Sequence, residues 1–485
     1  MFYEDPSLFY LTARGIFGVL SGTLSVYVLF RLAARLKGER TALLAALFFA
    51  ANFLHARDSH YIYADIPLVL VLLCGFIVIF RGLTPDPEDR SKKLGRLTGW
   101  TGHAAAGAMI GLATAVKYNG AFLLIPYTWV FFRKVPVRQW FPMGLVAGSA
   151  AFLVFAALNP FSILDFDFFL REIREQSAAN QGNFHVLHHL RYSLMGAFTS
   201  FALLFAVLGA VKGLFSKDLR PQAVSVFIFG YYAVLCLWGQ PYDRYVLPLV
   251  PFLCLTLADL IATITRALKR RVKEASSKKT WGRVHVLIAA FLVTLCLLPP
   301  LLKIFRWDWL MSNPDTRTLA KEWIETNIPT GAKIAIDREF HGPRLSFSPH
   351  QLRAKLLKAS AVQARRIHAL LEKPREPSYE IYFTVEDPSA FRFLFAEPVV
   401  FRRLDELRER GIRYAVTTLA GLREPDAFMK DVSEHAALVT VFSPFADGNA
   451  EAVYDDLILT GGPFLLEDIS ARDRNGYPIL IYEVK

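Results

Sequence analysis

The sequence predicts a polytopic α-helical membrane protein of roughly ten spans with a C-terminal extracytoplasmic α/β domain. Three observations predict it. Of the 485 residues, 53% are hydrophobic and 40 are phenylalanine, with a mean hydropathy of +0.32, a composition typical of integral membrane proteins. Apolar segments of spanning character lie at about 13–35, 41–56, 64–82, 101–116, 119–132, 139–159, 194–214, 222–239, 245–265 and 284–305. Beyond about residue 306 charge rises and helix and strand patterns alternate, so the domains are expected at 1–306 and 307–485.

Charge orients the spans. The net charge of +12 does not point to nucleic acid, because the basic residues sit in short blocks between apolar runs. The loops 31–40, 81–97, 133–138, 212–220 and 266–283 hold most of the excess. They share one face only if 101–132 crosses twice, turning at Lys117-Tyr-Asn-Gly120, and the positive-inside rule makes that face cytoplasmic. The expected location is therefore the plasma (inner) membrane, with multiple passes and the C-terminal domain outside. The outer face collects residues 55–66, the Lys117 turn, the 159–193 loop, Gln240–Arg244 and everything after about 306. The first span would start outside, so an upstream helix and loop are expected to precede Met1, and no cleavable secretory signal is visible.

In the C-terminal part, 315–327 reads as a helix closed by Pro329-Thr-Gly331. Lys333–Asp337, Ile412–Thr417, Leu438–Phe442 and Ile479–Glu483 read as short buried strands. Cys74, Cys236, Cys254 and Cys296 all fall within apolar segments, which leaves no disulfide framework and no zinc-type spacing.

The candidate chemistry lies at His55-Ala-Arg-Asp-Ser-His-Tyr-Ile-Tyr-Ala-Asp65-Ile-Pro67, where ionisable groups crowd between two apolar runs. Such groups are costly beside a bilayer and mark sites. Asp58 and Asp65 stand seven residues apart, a spacing of two helical turns that would let both carboxylates face one cavity. Arg57, His55 and His60 lie between or beside them. Asp65 also reads simply as the N-cap of an apolar helix with Pro67 in its first turn. Lys117 sits where the positive-inside rule does not call for it. It either snorkels to the headgroups or meets a phosphate as a point charge. Arg244 is similar, though Asp243 beside it could be its ion-pair partner, and Arg14 is a third outer cation. His185, His188 and His189 have helix-face spacing for a metal, but no local carboxylate or cysteine completes a set. Asp165 and Asp167 read as caps of a loop helix at 168–176.

These pieces resemble, in order, the membrane-embedded GT-C glycosyltransferases. Specifically they resemble the glycosyltransferase family 39 group, which includes protein O-mannosyltransferase-like and aminoarabinose-transferase-like enzymes. Arg14 opens a helix with Gly18 and Gly22; His55–Pro67 is similar to the family's second outer acidic segment. Gly111–Gly120 resembles its glycine-led helix ending in lysine, and Arg244-Tyr245-Val-Leu-Pro-Leu-Val-Pro251 its late arginine-tyrosine-proline helix start. Trp323–Gly331 resembles the start of the extracytoplasmic domain of many bacterial members. The resemblance implies transfer of a sugar from a polyprenyl-phosphate donor to a lipid, glycan or protein acceptor at the outer face. By resemblance Asp58 and Asp65 help to organise acceptor and donor; with His60 they are the catalytic candidates, and Arg14, Arg57, Lys117, Arg244 and Tyr245 are the candidates for the lipid phosphate. No cofactor is expected, and the residues give no support for a divalent metal while leaving room for one. One departure stands out: the family's principal acid lies in a first outer loop, and Glu4 and Asp5 fall too near the next helix to match it. A carrier-lipid-binding or transport protein without chemistry is the competing reading. It would call for polar or Gly/Pro-broken spans near the midplane, whereas the ionisable groups here gather at outer helix ends.

Overall fold

A computed structural model describes residues 6–84, 99–179, 186–238, 242–275, 284–337, 341–357, 359–384, 398–401, 403–419, 427–448 and 466–485. The chain divides into two compact units, Tyr10–Ile304 and Phe305–Lys485 together with Met1–Phe9.

Among the described residues, each apolar segment of the sequence is helical over most of its length. The helices are Ser21–Lys37, Glu39–Ala50, Asp65–Leu83, Trp100–Val116, Leu124–Lys134, Trp140–Leu158, Ser200–Leu214, Leu219–Leu235, Val250–Ala275 and Val284–Ser312. The first continues from a π-helical turn, Arg14–Leu20. Five stretches among the described residues are long and apolar enough to cross a membrane: Ser7–Lys37, Asp65–Leu83, Val137–Leu158, Asp243–Arg271 and Val284–Asn327. Counting the pair Val186–Ala197 and Ser200–Leu214, bent by 111°, makes six. This differs from the roughly ten expected spans because the other apolar segments form shorter rods. Residues 41–56 break at Ala51 and Asn52, leaving a 12-residue helix, and 101–132 breaks at Lys117.

That second break is the expected turn. Lys117 is extended (φ −161°, ψ 138°) and is followed by a 3-10 stretch, Tyr118–Leu123. The chain then runs back antiparallel, bringing the His103 Nδ1 within 3.0 Å of the Tyr127 hydroxyl. Gly107 and Gly111 let the Trp100–Val116 helix touch the Trp140–Leu158 helix backbone to backbone, since a Cβ at either would strike the Ala147 or Ala151 carbonyl. At the end of the bundle carrying the basic loops, one carboxylate ties three helices. Asp259 Oδ2 accepts from Lys37 at 3.2 Å and from Lys212 at 2.8 Å.

The second unit is a six-stranded sheet in the order β3-β2-β1-β4-β6-β5. Its strands are β1 Lys333–Ile336, β2 Glu380–Thr384, β3 Pro398–Val399, β4 Tyr414–Thr418, β5 Ala437–Phe442 and β6 Ile479–Glu483. β1 to β4 run parallel, and β6 pairs antiparallel with both β4 and β5. One face packs on Ala320, Ile324 and Ile328 of the 316–327 helix region, the other on Leu404, Leu407, Phe428 and Val432. The Thr316–Asn327 helix is capped by Asp315, which accepts from the Arg317 N–H at 2.8 Å.

Candidate active site

The acidic segment is held from its N-terminal side. The Asn52 side chain caps the short helix Phe53–Asp58 by accepting from the His55 N–H, and donates to the Ala197 carbonyl at 2.9 Å. Ser59 then packs into the notch left by Gly18 and Gly22, with its hydroxyl donating back to the His55 carbonyl at 2.7 Å.

Arg57 and Asp58 are buried at the end of this helix. The Arg57 Nε donates to Asp58 Oδ1 at 3.2 Å and its Nη1 to Asp243 Oδ2 at 3.2 Å. Residues 59–64 are not helical, so the two-turn spacing does not align Asp58 with Asp65, and the two acids engage different cations. Asp65 opens the helix Asp65–Leu83, but the cap position is Ala64, with no side-chain bond. The Asp65 carboxylate instead accepts from the Lys117 Nζ at 2.6 Å, with Asp65 3% and Lys117 26% exposed. The capping reading of Asp65 is thus replaced by an ion pair, although a first-turn acid also suits the helix dipole.

Arg244 and Asp243 are neighbours that face different ways. Asp243 turns to Arg57, so the expected Asp243–Arg244 pair gives way to that contact. Arg244 lies against three tyrosine rings, 4.2 Å from Tyr242, 5.2 Å from Tyr63 and 5.6 Å from Tyr245. The Lys117 ammonium is 4.9 Å from the Tyr245 ring, so lysine, arginine and tyrosine converge beside Asp65. A relay fixes the convergence: Asn119 donates to the Tyr231 hydroxyl at 2.7 Å, and that hydroxyl donates to the Tyr245 carbonyl at 3.2 Å. Burial pushes the Tyr61 phenol up to about 12 against the pull of Arg57, which makes it a neutral hydrogen-bonding group and not a base.

Six sequence candidates are therefore brought together: Arg57, Asp58, Asp65, Lys117, Arg244 and Tyr245. His60 and Arg14 are exposed. His185 lies outside the described residues. His188 and His189 stand edge to face at 5.7 Å, and His189 Nδ1 contacts the Ser193 hydroxyl at 3.1 Å. No group of three His, Cys, Asp or Glu among the described residues could hold a metal ion. Asp165 accepts from the Phe168 N–H at 3.3 Å, at the start of the helix Phe166–Ala179. Sequence reasoning missed Asp243 as an Arg57 partner, along with Ser193, Tyr63 and Tyr242. The only signal for the tyrosines was their crowding beside the candidate charges.

Residues 7–172 match the family model described as dolichyl-phosphate-mannose-protein mannosyltransferase. That stretch holds Arg14, Arg57, Asp58, His60, Asp65 and Lys117. No curated protein matches the chain. Among solved structures, the chain is similar to ArnT from Cupriavidus metallidurans bound to undecaprenyl phosphate, at 12% identity and TM-score 0.43, covering 98% of this chain and 84% of that one. It is similar to the Archaeoglobus fulgidus oligosaccharyltransferase in the apo form, at 10% identity and TM-score 0.44, covering 89% and 62%. A third is the arabinofuranosyltransferase AftD from Mycobacteria, at 14% identity and TM-score 0.44, where 97% of this chain spans 35% of the other.

Proposed function

We propose that the protein transfers a sugar from a polyprenyl-phosphate-linked donor to an acceptor nucleophile at the outer face of the plasma membrane. The observation that carries this reading is the meeting of Lys117, Arg244 and Tyr245 with Asp65, from three separate segments at the ends of apolar helices. In the reaction the bond from the sugar anomeric carbon to the phosphate oxygen breaks. A bond to the acceptor oxygen forms, the acceptor proton passes to a base, and polyprenyl phosphate departs as an anion. Lys117 and Arg244 neutralise the charge that grows on that leaving phosphate, where preorganised cations are most effective. Arg14, at the exposed edge, is a third cation for the same group. Asp65 is the base for the acceptor, with exposed His60 the alternative proton carrier. Asp58, fixed by Arg57, orients donor or acceptor hydroxyls. The family name supports a lipid-phosphate sugar donor of this kind, and the C-terminal α/β unit is read as extracytoplasmic.

The test is a purified protein in lipid, given radiolabelled sugars on a C55 polyprenyl phosphate, with release of the free lipid phosphate measured. Turnover in wild type, lost in Lys117→Ala and Asp65→Asn, is expected. Retention of lipid without turnover under every donor would favour a lipid-binding protein instead.

A further inference from the structure

The buried side of the site holds more charge than packing requires. Arg57, Asp58 and Asp243 side chains are 2%, 3% and 0% exposed. Burying such a network rarely adds stability over an apolar core, so its value lies in geometry. The chain of contacts continues past Asp243: the Ser193 hydroxyl donates to Asp243 Oδ1 at 3.2 Å, and His189 Nδ1 is 3.1 Å from that hydroxyl oxygen. His189 and Ser193 are fully buried and lie in a π-helical turn, His189–Leu194, a distortion that often marks functional positions. Asp243 begins the 3-10 stretch Asp243–Leu249. One carboxylate therefore joins three segments that are far apart in sequence.

The donors along this chain have a fixed direction. An ionised Asp243 only accepts, so Ser193 must donate to it, and the serine oxygen is left to accept from a proton on His189 Nδ1. On the other side Arg57 spends one arm on Asp243 and the edge of its fork on Asp58. We propose that Asp243 is a positioning residue: through Arg57 it holds the Asp58 carboxylate in one orientation in the site, with Ser193 and His189 holding Asp243 in turn. This rests on the glycosyl-transfer reading for its effect on turnover, but the hydrogen-bond direction stands on its own.

The test uses the full chain in lipid nanodiscs, with Asp243→Asn, Arg57→Lys and the double variant. The asparagine is isosteric and can stay folded. Its oxygen faces Arg57 without the charge that fixed the guanidinium, its NH2 group donates to Ser193, and the serine then donates to His189 Nδ1. The expected result has four parts. Turnover of the C55 polyprenyl-phosphate sugar falls by about 100-fold, the scale of a small misplacement at a reacting group. KM for that donor and the melting temperature stay close to wild type. Arg57→Lys, which keeps the charge but loses the fork, falls similarly, and the double variant falls little further because the residues act as one unit. Imidazole 15N NMR shows His189 protonated on Nδ1 in wild type and on Nε2 in Asp243→Asn. Turnover of Asp243→Asn within threefold of wild type would overturn the proposal. So would loss of lipid binding and melting temperature in step with turnover, which marks a structural role. If wild type transfers nothing and retains no lipid, the glycosyl-transfer reading fails. The proposal then falls too unless the His189 proton moves in Asp243→Asn, in which case the relay stands and only its reaction is reassigned.

Discussion

Asp65→Asn is expected to bind lipid phosphate more tightly while losing turnover. The Lys117 ammonium is 2.6 Å from Asp65 Oδ1, so an incoming phosphate must compete with a carboxylate for it. Two unit charges about 4 Å apart at an effective dielectric near 20 attract by about 4 kcal/mol. With Lys117 26% exposed, solvent screening and the residual Asn–Lys hydrogen bond cut that heavily. An effective penalty of about 1–2 kcal/mol remains, between an exposed pair and a buried one. Releasing it tightens binding by about 10-fold. The assay is titration of the purified protein with C55 polyprenyl phosphate, read by native mass spectrometry or fluorescence quenching. Removing an acid near a phosphate also helps binding through space, so the Lys117→Gln and Lys117→Gln/Asp65→Asn proteins are measured alongside. If the gain runs through the freed lysine, the double variant binds no better than Lys117→Gln. Weaker or unchanged binding in Asp65→Asn would refute the idea that Lys117 is the phosphate's cation.

Three further outcomes follow from the packing. Gly111→Leu should abolish accumulation of folded protein in the membrane, because any Cβ there strikes the Ala151 carbonyl; Gly144→Ala, on the partner helix with nothing within 4 Å, should be tolerated. Asp259→Ala leaves Lys37 and Lys212 facing each other and should lower stability by about 1–2 kcal/mol, seen as a reduced melting temperature without loss of lipid binding. Tyr379, buried and donating to the Ile324 and Ile328 carbonyls, is pushed up to about 12 by burial and by the nearby Glu325 and Glu376 charges. The unfolded chain loses that proton near 10.0, so it holds fewer protons than the folded domain between there and about 12. Stability should therefore fall as pH rises through that window, and Tyr379→Phe should flatten the slope of melting temperature against pH while costing about 1 kcal/mol at neutral pH.

Much of the architecture is written in local pattern. The cations at Lys117 and Arg244 were visible because charge at those helix ends had no topological reason; Lys117 proves to pair with Asp65, and Arg244 shares the Tyr245 ring with that lysine. Strands β1, β4, β5 and β6 were legible as short apolar runs between turn residues. β2 carried the same signal, with Ile381 and Phe383 buried on alternate positions, and was passed over. β3 has only two residues and no pattern to find. Asp243 could not have been read as Arg57's partner, since 186 residues separate them and the sequence offers Arg244 next door. The competition between those two arginines is settled by the fold, which turns Asp243 to Arg57 and lays Arg244 on the tyrosine rings, and no window of sequence encodes that. The number of full-length spans was less legible, because hydropathy reports apolar content and not that residues 41–56 break at Ala51 and Asn52, whereas loop charge did disclose the division of 101–132 at Lys117.

The seat of Ser59 against Gly18 and Gly22 has a consequence for how this protein can vary. A contact between bare backbone and one small side chain works as a mechanical stop, not as a lock with a matching key. It sets the depth of the acidic segment against the first helix without caring which residues surround it. The neighbouring apolar positions are then free to drift while the acids stay in place. A single methyl group added at Gly18 would strike the Ser59 carbonyl and shift Arg57 and Asp58 together, carrying the damage to residues it never touches.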